Sequence, residues 1–177
     1  AALLGADIEK AQALADAAAE GEVCTVANDN DPGQVVISGA RAAIERAIAL
    51  VKDHGIKRGV LLPVSAPFHC PLMQPAADAM AKALAEAVMQ APLVPVYANV
   101  TAAPVADPST IRDLLVQQVT GRVRWRESCI AMFEAGVHDF VELGGKVVGP
   151  MVKRSAADAT ATSVVTMDDI EAMAKGL

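Results

Sequence analysis

The sequence predicts an α/β fold, because short β-branched runs alternate with Ala-rich segments of helical period along the chain, and glycine or proline marks most junctions. Its core must be aliphatic: 53% of residues are hydrophobic but only 3% are aromatic, so Ala, Val, Leu, Ile and Met fill the space between helices and sheet. At 177 residues the chain is long enough to fold without disulfides or a structural metal.

The chain opens on Ala1-Ala2-Leu3-Leu4-Gly5, without Met, a stretch that reads as the middle of a buried strand, and residues are expected ahead of position 1. Asp7 to Glu20 follows as a helix with Ile8, Ala11, Ala15 and Ala18 on one face and Gly21 as its stop. Val23 to Ala27 and Gln34 to Ser38 read as strands on either side of Asn28-Asp29-Asn30-Asp31-Pro32-Gly33, a turn-forming hexapeptide whose side chains can bond their own backbone. Ile44, Ala47, Ile48 and Val51 recur at i, i+3, i+4 and i+7 between Arg41 and His54, Gly55 ends that helix, and Val60 to Val64 is the next strand. The order β-α-β-β-α-β over residues 1–64 is that of a ferredoxin-like split βαβ unit, expected as a subdomain.

Residues 65–177 are expected to form a second region, an α/β layer with a largely parallel sheet. It begins with the loop Ser65-Ala66-Pro67-Phe68-His69-Cys70-Pro71 and a helix that turns Met73, Ala77, Met80, Leu84 and Val88 inward. Val94 to Val100 reads as a strand, Pro108 to Gln118 as a helix capped by Asp107 or Ser109, and Arg126 to Ala135 as a helix ended by Gly136. Strands at Val137 to Glu142 and Ser163 to Thr166 flank a helix near Val147 to Arg154.

Several function classes are set aside by composition. Fifteen Lys and Arg against twenty-one Asp and Glu give a net charge of −6, with no basic cluster interleaved with aromatics, so no nucleic-acid partner is expected. The longest apolar run, Gly59 to Phe68, is broken by two prolines and is too short to span a membrane. No export signal opens the chain, and three cysteines without CxxC spacing, Cys24, Cys70 and Cys129, fit a reducing cytoplasm rather than a disulfide framework or a zinc site. No metal site is expected: His54 falls in the last turn of a helix and His138 on a strand, both read as structural.

His69 is the strongest candidate for chemistry, since it lies in a Pro-bounded loop after an apolar strand, where α/β proteins place working side chains; a lone histidine is, however, more often structural. Cys70 beside it reads as an inert thiol, because sequence neighbours in an extended loop point apart. Gly144-Gly145-Lys146 lacks the upstream glycine and following Ser/Thr of a phosphate loop. Asn28 and Asn30 are read equally as channel-lining residues or as residues that hold their own turn.

Four stretches resemble one family in its own order: Asn28 to Gly39, Val60 to Met73, Leu115-Val116-Gln117-Gln118 with Val123-Arg124-Trp125, and Val141-Glu142-Leu143-Gly144-Gly145-Lys146-Val147 are similar to signatures of the malonyl-CoA:acyl-carrier-protein transacylases. The resemblance implies an α/β-hydrolase-like acyltransferase core, partial here, with an inserted ferredoxin-like subdomain. It implies transfer of malonyl from malonyl-CoA to the thiol of acyl-carrier protein through a malonyl-serine ester, with no cofactor beyond the coenzyme A thioester itself. His69 would be the general base and later acid, and the backbone carbonyl at Gln118 its acceptor. Asn28 and Asn30 would contribute to the acyl or pantetheine channel, and Phe68 resembles the form that selects malonyl over methylmalonyl.

The chain departs from the family in three places. It contains no Gly-x-Ser-x-Gly elbow, so the nucleophile, the oxyanion donor after it and the family's malonate-pairing arginine are expected upstream. Gly144-Gly145-Lys146 looks like the family's Gly-Pro-Gly-Lys turn without its proline, and Gly121-Arg122 stands where the family often has a polar residue and proline. Lys52, Lys57, Arg58, Arg124 and Arg126 could add to a surface for acidic acyl-carrier protein, or form only a solvated face. Two other readings stay open: an acyltransferase of polyketide-synthase type with another acyl group, and a non-catalytic ferredoxin-like interaction module.

Overall fold

The computed structural model describes residues 1–176, which form two compact units, the first Ala1–Ser128 and the second starting at Cys129. The first unit opens with β1 (Ala2–Ala6), α1 (Ile8–Ala19), β2 (Cys24–Asp31), β3 (Gly33–Gly39), α2 (Arg41–Leu50) and β4 (Arg58–Val60). These strands make one four-stranded sheet in the order β2-β3-β1-β4, antiparallel throughout. α1 is capped by the Asp7 side chain, which accepts from the Lys10 amide at 2.8 Å, and it buries Ala11, Leu14, Ala15 and Ala18. α2 buries Ala43, Ile44 and Ala47. Together with Leu3, Val35, Ile37 and Ile56 they form the aliphatic core expected from composition.

Two corrections follow in this sheet. The hexapeptide Asn28 to Gly33 is not a loop: β2 runs on to Asp31 and only Pro32 separates it from β3. Two bulges, one between Val26 and Asn28 and one between Asp29 and Asp31, admit these polar residues by twisting the strand and re-aiming side chains. β4 also lies two residues earlier than the apolar run predicts, because the register Ala2–Val60 to Leu4–Arg58 ends at Val60, and residues 61–70 leave as a loop.

A single 3₁₀ turn (Pro71–Met73) leads into α3 (Gln74–Glu86). Of its expected inward face only Ala77 is buried; Met80 is exposed and Val88, beyond the helix, is 93% exposed. The single strand expected at Val94 to Val100 is instead a hairpin, β5 (Val96–Ala98) antiparallel to β6 (Ala103–Val105), since Asn99 turns the chain. α4 (Pro108–Thr120) has proline in its first turn and Asp107 as its cap, and it packs against α3.

α5 (Trp125–Glu134) carries the chain into the second unit. There β7 (Asp139–Leu143), α6 (Gly149–Ser155) and β8 (Thr160–Val164) make a parallel crossover, followed by α7 (Met167–Ala174), a helix not foreseen, which starts with a Thr166/Asp169 capping box. Among the described residues β7 and β8 are the one pair of named strands that run parallel, apart from an isolated parallel bridge between Asn28 and Val123, so the largely parallel sheet expected after residue 65 is not what forms. Glu142 explains the Gly-Gly-Lys turn: its carboxylate accepts from the Val147 and Gly149 amides at 2.7 and 2.9 Å, occupying the N–H groups a phosphate would need. These amides, that of Val147 foremost, hold the Glu142 carboxyl below its ordinary range. His138 packs edge-on against Phe133, with ring centroids 4.7 Å apart.

Among the described residues no helix is long and apolar enough to cross a membrane.

Candidate active site

The loop of residues 61–70 is pinned by Cys70, which is fully buried and donates its thiol to the Pro67 carbonyl at 3.1 Å. It anchors the loop and cannot present a nucleophile to the surface. Local turns, Phe68 N–H to Ala66 O at 3.0 Å and Met73 N–H to Cys70 O at 3.0 Å, tighten the chain around it. Between them His69 takes a left-handed backbone, φ +60°, a conformation uncommon outside glycine and concentrated where structure over-determines a working residue.

Nδ1 of His69 lies 2.8 Å from the carbonyl oxygen of Gln118. The reason lies in helix geometry: the last four carbonyls of α4 have no partner within the helix. The Gly121 amide satisfies that of Gln117 at 2.8 Å, which leaves Gln118's carbonyl to accept from the imidazole. A carbonyl only accepts, so Nδ1 must carry the hydrogen and, in the neutral ring, Nε2 is the free acceptor. Nε2 has no protein partner among the described residues. The C-terminal end of a helix is also negative, which favours a transient positive charge on this ring.

A cleft of about 320 Å³ opens on the imidazole and is lined by Asn28, Asn30, Val36, Ser38, Phe68 and His69 among others. Four of the five residues singled out in the sequence therefore meet in one cavity, and Gln118 stands behind the fourth of them through its carbonyl. The bulges in β2 decide this placement, since Asn28 and Asn30 end half-buried toward the cleft while Asp29 and Asp31 turn into the protein. Phe68 is 47% exposed, with one face on the cavity.

The sequence reading missed the frame around these residues. Asp29, almost wholly buried, is held bidentately by Arg126, whose Nε and Nη2 donate at 3.0 and 2.7 Å. Val123 continues the edge of β2 beside Asn28: its amide donates to Ala27 O and its carbonyl accepts from Asp29 N–H, both at 2.8 Å. The Arg124 guanidinium pairs with Glu127 and donates to Val100 O and Thr101 O at 3.3 and 3.2 Å. Arg124 and Arg126 are thus committed to internal partners, not to an outward basic surface. Asn99, lost inside an expected strand, donates its amide to Gln118 Oε1 at 3.0 Å. An asparagine breaking a β-branched run was the available signal for this turn.

Comparison with known proteins shows the family of the chain. The acyl transferase domain family matches residues 5–167. The malonyl CoA-acyl carrier protein transacylase of Escherichia coli K12 is 42% identical over 178 aligned positions, covering 100% of this chain and 57% of that protein. The crystal structure of an acyl-carrier-protein S-malonyltransferase from Bartonella henselae superimposes with a TM-score of 0.93 at 47% identity, over 99% of this chain and 56% of that one. A malonyl-transacylase in complex with a type II polyketide-synthase acyl-carrier protein gives 0.94 at 34% identity, over 99% and 57%. The chain spans about half the length of the curated relatives it matches. The match over residues 5–167 and the identity to these relatives show that this chain belongs to the acyl transferase domain family.

Proposed function

We propose that this chain supplies the base half of a malonyl-CoA:acyl-carrier-protein transacylase, in which a serine outside these residues carries the malonyl group between coenzyme A and the carrier-protein thiol. The observation that carries the reading is the His69 Nδ1 to Gln118 carbonyl pair, which leaves Nε2 of a ring that lines the cleft free to act as a base. The printed names of the relatives, malonyl transacylases and one of them in complex with an acyl-carrier protein, supply the acyl group and the partner.

In the proposed reaction Nε2 takes the proton of the serine hydroxyl as its oxygen adds to the malonyl thioester carbonyl. The carbon–sulfur bond then breaks, and the imidazolium returns the proton to the departing coenzyme A thiolate. The second half runs in reverse sense: Nε2 deprotonates the carrier thiol, the sulfur adds to the carbonyl carbon of the serine ester, the bond from that carbon to the serine oxygen breaks, and the imidazolium returns the proton to the serine oxygen. A neutral carbonyl behind Nδ1 suffices where a triad would use a carboxylate, because a thiolate is a good leaving group. Asn28, Asn30 and Phe68 would contact the acyl or pantetheine chain in the cleft. No cofactor enters beyond the thioester substrate, and the reaction belongs in the cytoplasm with its carrier protein.

The finer architecture belongs to the same proposal. Residues 1–64, with strand order β2-β3-β1-β4 and α1 and α2 packed on the core, are read as a ferredoxin-like subdomain inserted into an α/β-hydrolase-like core to which residues 65–177 contribute.

The test joins this chain to the remaining part of the E. coli relative and measures malonyl transfer from malonyl-CoA to acyl-carrier protein. The fusion transfers malonyl, and His69→Ala lowers the rate by roughly 10²–10⁴-fold, the usual contribution of a general base. Full activity of His69→Ala in that fusion would falsify the assignment of the base.

A further inference from the structure

We infer that Asn99 is a positioning residue for the histidine base, acting through the side chain of Gln118. This rests on the role proposed for His69, but its geometry is independent of the reaction.

Only the backbone of Gln118 meets His69, so the question is what holds that carbonyl at 2.8 Å. The last turn of a helix frays, because its carbonyls lack partners and its residues are held by fewer bonds. Here the last turn is held from two sides. The Gly121 amide closes it on Gln117 O, and the Gln118 side chain is tied at 3.0 Å to the amide of Asn99. Both partners of that side-chain bond are half-buried, where an amide–amide bond is less exposed to competition from water.

Asn99 is itself fixed. It sits at the tip of the β5–β6 hairpin, and its carbonyl accepts from the Arg124 amide at 3.0 Å. The Arg124 guanidinium then donates to the next two carbonyls of the same tip, Val100 O and Thr101 O. Every carbonyl from Asn99 to Thr101 is therefore held by one residue. The chain of contacts runs from Arg124 to the hairpin tip, from Asn99 to the Gln118 side chain, and from the Gln118 carbonyl to His69 Nδ1. Val123, adjacent to Arg124, is zipped to β2 on both sides of Asn28, so one short segment registers the base and the asparagine strand together.

Asn99 touches no reacting atom, and its effect must appear in the imidazole's tautomer. With the carbonyl in place Nδ1–H is favoured and Nε2 is free; when the last turn of α4 loosens, the ring loses that bias and Nε2–H becomes populated. A merely structural residue would lower stability without moving this ratio.

The experiment is ring-nitrogen NMR of the ¹⁵N-labelled 177-residue chain at a pH where the imidazole is neutral. Asn99→Ala and Gln118→Ala should each lower the Nδ1–H to Nε2–H ratio of His69 by roughly threefold or more, the scale of one side-chain hydrogen bond. The double variant should fall no further than either single one, because both remove the same bond. Asn99→Asp should stay near the parent ratio, since the Gln118 amide can turn its N–H groups toward the carboxylate. A parental ratio in Asn99→Ala, or losses that add in the double variant, overturns the inference. If Asn99→Ala does not fold, Gln118→Ala decides alone. These spectra remain decisive for Asn99 even if His69→Ala transfers malonyl normally.

Discussion

The Gln118 carbonyl that accepts from His69 Nδ1 at 2.8 Å lies at the C-terminal end of α4, where carbonyls have no partner within the helix. One feature of helix geometry thereby does two things for the ring. It selects the tautomer with Nε2 unprotonated, and it places the negative end of the helix beside the ring, where a positive charge on the imidazole is favoured. The second effect is worth about 0.3–1 kcal/mol for an exposed group and up to about 2 kcal/mol in partly buried geometry.

The left-handed backbone at His69 sets which substitutions the loop accepts. Asparagine tolerates φ near +60°, whereas a β-branched side chain there is strained. His69→Asn should retain parental stability within about 1 kcal/mol, and His69→Val should lose a further 1–3 kcal/mol, roughly the cost of such backbone strain. Urea unfolding of the two variants makes the comparison; equal stabilities would remove strain from the description of this loop.

The Asp29–Arg126 pair is asymmetric, because the Asp29 side chain is 2% exposed and that of Arg126 is 27% exposed. Removing arginine strands a carboxylate in the interior, while removing aspartate leaves a guanidinium that can reach water. Arg126→Ala should cost about 3–5 kcal/mol, and Asp29→Asn clearly less, about 1–3 kcal/mol. Chemical denaturation gives both values, and the reverse ranking would contradict the burial argument.

Acid should loosen the Arg124 clasp. The guanidinium of Arg124 bonds the Glu127 carboxyl and holds it below its ordinary value of 4.5, ahead of the opposing effect of burial. With the folded value depressed, the pair stabilises fully above the unfolded range and loses that contribution as pH falls through the lower folded value. The stability advantage of the parent over Glu127→Gln should therefore be constant near neutrality and shrink below pH about 4.5. A pH-independent difference between the two chains is the contrary outcome.

Gly39 closes β3 against the start of β2. A Cβ there would lie 1.9 Å from the Val23 carbonyl oxygen and 2.7 Å from its carbon, both backbone atoms that a rotamer change cannot move. The Val23 carbonyl is moreover held by the Ala40 amide at 2.7 Å. Gly39→Ala should destabilise the chain by at least about 1–3 kcal/mol, the range for overpacked sites. A thermal melt unchanged from the parent would show that the strand end can shift freely.

All three thiols are buried, and burial pushes that of Cys129 up to about 11. Its thiolate fraction at pH 8 is then on the order of one in a thousand. Cys24, Cys70 and Cys129 should all resist a disulfide reagent in the native chain and react promptly once it is unfolded in guanidinium. Rapid native labelling of Cys70 would reopen it as a nucleophile.

Much of the fold was legible because it depends on local chemistry. The helical faces Ala11/Ala15/Ala18 and Ile44/Ala47 follow from a 3.6-residue period, and the Asp107 cap follows from a side chain that can reach the next free amides. The same logic failed where a polar segment was carried by long-range pairing. Asn28 to Asp31 has turn-forming composition, yet it extends β2 because β3 on one side and Val123 on the other supply its backbone partners, and Arg126 neutralises Asp29. The apolar period of α3 was likewise real in sequence, but period alone does not say that a covering surface is present, and Met80 stays exposed.

For the site, sequence determined which residue types are present: a histidine in a Pro-bounded loop, two asparagines in a segment of turn-forming composition, a phenylalanine beside that histidine, and the ordered motifs of the acyl transferase domain family. Tertiary structure alone decided which atoms meet. The acceptor for His69 is a backbone carbonyl, identical in every residue type, and it is available only because α4 ends at that point. Asn99 holds it across a hairpin that no local period announces, through a bond between residues nineteen apart. Side-chain identity is written in sequence, whereas the vacancy of one carbonyl and the distance to its donor are properties of packed helices and turns.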